Sequence, residues 1–257
     1  MDGTRWFLLN ASPDVREQLD CLPGPVPPGV RHVPIEGIVA TDAELDHTLG
    51  IVLLREARHL QLFVTPAVRT ILERDSRILP MTQAFARVDV QEMQLGVVMA
   101  LRYRNGEPSG ITIEPFEVAA GPPRFAHDGG PGHTVGLFLV DEKSGGSCAY
   151  VPGCGELDGL LVDRFAATDL LLFDGTFWTD DELTSLGIGD RRAREMDHQP
   201  ISGTSGSLVQ LAKLSRPRKV YTHINNTNPI LLEGSPERAI VERAGLEVGA
   251  DGMSFSL

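Results

Sequence analysis

Cysteine is scarce in this chain, with three in 257 residues. Cys21, Cys148 and Cys154 show no Cys-x-x-Cys spacing, and an odd number leaves at least one without an internal partner. That excludes a disulfide framework and a zinc ribbon, and it points to a reducing compartment. No apolar run approaches the roughly 18 residues of a membrane span, and no charged and apolar leader opens the chain. The expectation is a cytoplasmic protein without membrane insertion. Basic residues are outnumbered, 23 Lys and Arg against 35 Asp and Glu, for a net charge of -12. No basic cluster offers a phosphate backbone a surface, so nucleic acid is not the expected partner. Aromatics are few as well, at 6%, but 42% hydrophobic content over this length can still bury one sizeable core. A single domain is expected.

What is present is organised around Thr41 to Gly50, a loop carrying Asp42, Glu44, Asp46 and His47 directly after the apolar run Gly37-Ile38-Val39-Ala40. Carboxylates and an imidazole at a strand's carboxyl end stand where α/β folds leave their cleft, and they are ligands for a hard or borderline cation. Asp42, Glu44 and Asp46 alternate and share one side if the segment is extended. The simpler alternative is that Asp42 or Glu44 caps a helix beginning near His47. That helix is expected over Thr48 to Arg55, with Leu49, Val52 and Leu53 inward.

Two further strand ends carry the same chemistry. Leu170 to Phe173 is apolar and ends in Asp174, a carboxylate that is costly at a buried strand exit unless it binds a cation or anchors a ligand; a plain Asp-Gly turn is the alternative. Lys219-Val220-Tyr221-Thr222 leads to His223 and then to Asn225, Asn226 and Asn228, amides suited to a polar ligand or to Asx turns. His133 follows a Gly- and Pro-rich stretch and precedes a strand. His198 stands a few residues before a helix expected from Gly203 to Leu214 with Ser202 as its cap, where an anion is favoured. Arg191, Arg192 and Arg194 read as a solvated run.

Along the chain, strand and helix alternate through Arg74, with a connector at Leu22 to Pro28 and helices opening at Ser12-Pro13 and Pro66. Strands without helices then occupy 95–140. Alternation resumes after Ala149, and Met253 to Leu257 reads as a closing strand. The pattern predicts parallel pairing first, antiparallel pairing in the middle, and two mixed sheets with helices outside.

The acidic loop resembles the metal signature of the metallo-β-lactamase superfamily, His-x-His-x-Asp-His after a strand. Asp42 and Glu44 stand near the first two histidines' places; Asp46 and His47 match. Together with Asn10 to Asp14, Pro131-Gly132-His133, Asp174-Gly175-Thr176 and the string from His223 to Leu231, this makes the chain similar to the PqqB family of pyrroloquinoline quinone (PQQ) biosynthesis, over nearly its whole length. The resemblance implies a four-layer αββα sandwich. It also implies an amino-terminal segment with a strand, a Gly-rich loop and a structural zinc site, which this sequence lacks. The expected metal set is Asp46, His47 and His223, supported by Asp174 and His133, with Fe(II) ahead of zinc. Asp42, Glu44 and His198 are the catalytic candidates, and Asn225, Asn226 and Asn228 the substrate-binding ones. The implied reaction is iron-dependent hydroxylation of the tyrosine ring of a glutamate–tyrosine intermediate. A carrier for PQQ or its precursor and a phosphodiesterase-like hydrolase are the alternatives. The implied partner is the small-molecule precursor, and a homodimer is the candidate assembly.

Overall fold

The computed structural model describes residues 5–22 and 34–257, which form two compact units. The connector expected from Leu22 to Pro28 falls, beyond Leu22, outside the described residues. Among them no helix is long and apolar enough to cross a membrane, and all three cysteines are free thiols.

The first unit comprises the chain up to Glu117 with Pro122–Val135. Its elements are β1 (Trp6–Leu9), α1 (Val15–Asp20), β2 (Ile35–Val39), α2 (Leu45–Leu53), β3 (His59–Val64), α3 (Pro66–Thr70), α4 (Ile78–Gln83), β4 (Arg87–Glu92), β5 (Met99–Arg102) and β6 (Pro108–Glu117). Strands β1 to β4 lie side by side in sequence order, all parallel, because helices carry the chain back between them. This sheet is therefore wholly parallel, not mixed as expected. β5 and β6 form the expected antiparallel pair. The helical face of the sheet is apolar: Ile38, Ile51 and Leu62 are each 1% exposed in one cluster with the α4 residues Ile78 and Leu79, and each buried side chain of this size contributes about 1.5–3 kcal/mol.

Helix boundaries differ from those read in the sequence where capping decides them. α1 starts at Val15 rather than at Pro13, and Ser12 Oγ accepts from Asp14 N at 3.2 Å instead of capping. α3 starts at Pro66 as expected, with Thr65 Oγ1 accepting from Val68 N. α2 starts at Leu45, three residues early, so its buried face is His47, Thr48, Gly50 and Ile51. Leu49, expected inside, is exposed.

The second unit holds Val118–Gly121 and Gly136–Leu257. It takes all but the first residue of β7 (Val135–Asp141), then β8 (Ser147–Val151), α5 (Gly159–Phe165), β9 (Leu170–Asp174), α6 (Glu182–Ser185), α7 (Ser207–Leu211), β10 (Arg218–Thr222), α8 (Pro236–Arg243) and β11 (Glu247–Val248). β7 and β8 are antiparallel, and β8 through β11 run parallel with helical crossovers between them. The closing strand is β11, not Met253 to Leu257, whose residues carry no strand pairing. Asp174 and Thr222 are register partners at the carboxyl ends of β9 and β10. That pairing brings the loops beginning at Gly175 and His223 together.

Candidate metal centre

In the first unit the acidic loop is a turn into α2, not an extended segment. Asp42 is 3% exposed and His47 7%. The His47 Nδ1 donates to the Asp42 carboxylate, 2.8 Å from both oxygens, while Thr41 Oγ1 and Glu44 N donate to Oδ2 and Oδ1 at 2.7 and 2.9 Å. Burial alone would discharge both groups. The opposed charges at this distance outweigh it, pushing His47 up to about 9 and holding Asp42 below the usual carboxylate range. Asp42 thus orients an imidazole rather than facing outward. Glu44 occupies the N-cap position of α2 without a side-chain cap, and Asp46 lies in its exposed first turn.

This loop is braced by Asn10, whose left-handed backbone (φ 62°) turns the chain after β1. Asn10 Oδ1 accepts from Thr41 N, and its Nδ2 donates to Thr41 Oγ1, both at 2.9 Å. Ala11 also pairs with the helix, donating to the His47 carbonyl and accepting from Gly50 N. The contact is so close that a Cβ on Gly50 would stand 2.3 Å from Ser12 O. His133 lies in a loop of the same unit, its Nδ1 donating to Gly130 O at 2.7 Å. Among the described residues no group of three close metal donors includes it.

The second unit gathers Asp174, His198 and His223, with donor atoms all within 4.8 Å of one another. Asp174 is fully buried and meets four donors: Thr176 N and Oγ1 at Oδ1 (3.0 and 2.6 Å), Cys154 N and His198 Nδ1 at Oδ2 (3.1 and 2.8 Å). Burial opposes its charge, but His198 leads the interactions that keep the carboxyl below its ordinary range. With its acceptor sites met, Asp174 serves as an anchor for a ligand; to bind an ion directly it would exchange one of these bonds. His223 has a left-handed backbone (φ 53°), a conformation that costs of order 1–3 kcal/mol and recurs at functional sites. Its ring stacks on His198, centroids 5.4 Å apart.

His198 therefore belongs to a group that could hold a metal ion, whereas the expected anion site beside it is not built. α7 begins at Ser207, Gly206 and not Ser202 takes its N-cap position, and the helix has five residues. Of the three asparagines, Asn228 is buried and committed to its loop: Oδ1 accepts from Ile230 N, and Nδ2 donates to Gly175 O. Asn225 donates to Thr227 Oγ1 and accepts from Asn226 N, the next residue, so the Asx-turn alternative describes Asn228, while Asn225 is tied within the same loop. Two residues not named as site candidates in the sequence matter here. Thr176 touches all three members of the cluster, and buried Glu182 ties the two loops together, accepting from Trp178 N (2.6 Å) and Thr227 Oγ1 (2.5 Å). A threonine two residues after a buried aspartate was the available signal for the first; nothing marked the second.

Two imidazoles, each with Nδ1 facing an acceptor and anchored by a buried carboxylate, offer nitrogen donors that suit a borderline divalent cation such as zinc or iron(II). The comparisons agree with a metal-binding fold. The family model of the β-lactamase superfamily domain matches residues 5–224. Coenzyme PQQ synthesis protein B of Gluconacetobacter diazotrophicus is 40% identical over 99% of this chain and 84% of its own. The Pseudomonas protegens protein of that name is 40% identical over 100% and 85%. The crystal structure of Zn(2+)-bound PqqB from Methylobacterium extorquens superposes with a TM-score of 0.88 at 36% identity, covering 100% of this chain and 85% of that one. The chain has the α/β metallo-β-lactamase fold and belongs to the coenzyme PQQ synthesis protein B family of that superfamily.

Proposed function

We propose that the chain acts in PQQ biosynthesis as a metal-dependent hydroxylase of the tyrosine ring in a glutamate–tyrosine precursor, with dioxygen as co-substrate. The supporting observation is the Asp174, His198 and His223 cluster, two oriented imidazoles and one buried carboxylate, in a chain whose relatives carry the PQQ synthesis name. Iron(II), if bound, would supply the redox chemistry that activates dioxygen, one oxygen atom entering the ring and the other leaving as water with two electrons from an external reductant. His198 and His223 would hold the ion through Nε2, because Nδ1 of each faces an acceptor. Within the first unit, Asp46 and His47, the two residues that keep the superfamily signature, remain proposed metal ligands, and Asp42 fixes the His47 ring so that its Nε2 would be the ligating nitrogen. Asn225 and Asn226, on the loop after His223, are proposed to meet the precursor's carboxylates.

A carrier role has one observation in its favour: the crystallised relative holds zinc, which has no redox chemistry. One experiment separates the two. Protein purified without oxygen is loaded with Fe(II) or Zn(II), given the crosslinked glutamate–tyrosine peptide, oxygen and a reductant, and followed by oxygen uptake and product mass. Hydroxylation is expected with Fe(II) only. Tight PQQ or precursor binding without oxygen uptake under either metal would establish the carrier instead.

A further inference from the structure

The hydroxyl of Thr176 has four polar neighbours and one proton. Its Oγ1 lies 2.6 Å from Asp174 Oδ1, 2.7 Å from His223 Nδ1, 2.9 Å from the His223 carbonyl oxygen and 3.1 Å from His198 Nδ1. The carboxylate is the nearest acceptor and carries charge, so it takes the proton. The hydroxyl oxygen then accepts, and His223 Nδ1 at 2.7 Å must be the donor. Asp174 cannot orient His223 unaided, since Oδ1 is 4.0 Å from that nitrogen, beyond hydrogen-bond reach. His198 needs no such help: its Nδ1 is 2.8 Å from Asp174 Oδ2.

We propose that Thr176 is a positioning residue that relays the Asp174 carboxylate to His223, fixing the Nδ1–H tautomer and so presenting Nε2 to a divalent metal ion. This rests on reading Asp174, His198 and His223 as a metal centre. Thr176 is itself buried, and its backbone N–H keeps a separate 3.0 Å bond to Asp174, so removing the hydroxyl leaves the turn tied.

The test compares Thr176→Val and Thr176→Ala, which lose the hydroxyl, with Thr176→Ser, which keeps it. Zn(II) affinity is measured by chelator competition, and the His223 tautomer by nitrogen-15 imidazole resonances of the metal-free protein. Val and Ala at this position are expected to weaken zinc binding by roughly 10- to 100-fold and to lose the Nδ1–H form of His223, with Ser restoring both. Wild-type affinity together with an unchanged tautomer in a folded Val or Ala variant would overturn the relay. If the unsubstituted protein takes up no zinc, the metal-centre reading fails first, and the relay with it.

Discussion

At the residue scale, the chemistry rests on carboxylates that are buried with their partners. His47 illustrates the consequence for pH. Its imidazole titrates near 9 in the folded protein against about 6.5 unfolded, so the stability gained from protonated His47 is fully present below about pH 6.5 and is lost as pH rises through about 9. Urea unfolding of metal-free protein should show the advantage of wild type over His47→Gln shrinking between pH 6.5 and 9.5; an advantage that grows across that range would contradict the pairing with Asp42. Metal uptake at His47 must also displace its proton, so affinity should rise with pH over the same interval. Asn228 gives a separate test. Replacing it by Ala leaves Ile230 N and Gly175 O without their bonds, which should cost about 1–3 kcal/mol in urea unfolding, whereas Asn226→Ala, at an exposed position, should cost under about 0.5 kcal/mol.

Elements determine which of these residues meet. Asp174 and His223 were legible in the sequence because a polar residue closing an apolar run marks a strand's end, and β9 and β10 put both ends in register. Helix starts were harder to read. A carboxylate-rich turn looks the same whether it caps a helix or runs extended, and only the docking of α2 on Ala11 and Ser12 places His47 on the buried face. Gly50 is the residue that permits this docking. Gly50→Ala would drive a Cβ into the Ala11 and Ser12 carbonyl oxygens, at 2.6 and 2.3 Å, so the helix must move off. A loss of about 1–3 kcal/mol is expected despite the better helix propensity of alanine, with weaker metal binding. An unchanged or raised melting temperature would show that α2 is not held there. The closing strand was misplaced because Met253 to Leu257 has strand-like alternation, while the pairing with β10 falls to the short Glu247–Val248.

For the whole molecule, the order of elements foretold the fold class. Helices between strands require parallel neighbours, and the helix-poor stretch after residue 95 gives antiparallel ones. The all-parallel character of the first sheet was missed because α4 and β4 were not recognised: Ile78–Gln83 contains a proline, and Arg87–Glu92 carries too many charges to look like a strand. His198 was named in the sequence as a catalytic candidate beside an anion site; its contact with Asp174, 24 residues earlier, is one that no local pattern encodes. The central claim, that this chain holds a catalytic divalent cation through His198 and His223, is tested most directly by metal stoichiometry. Metal-free wild type, His198→Ala and His223→Ala are dialysed against Fe(II) without oxygen and, separately, against Zn(II), and then assayed for bound metal. Wild type should retain stoichiometric metal and each variant should lose it; undiminished metal content in both variants, with their folds intact, would contradict the account.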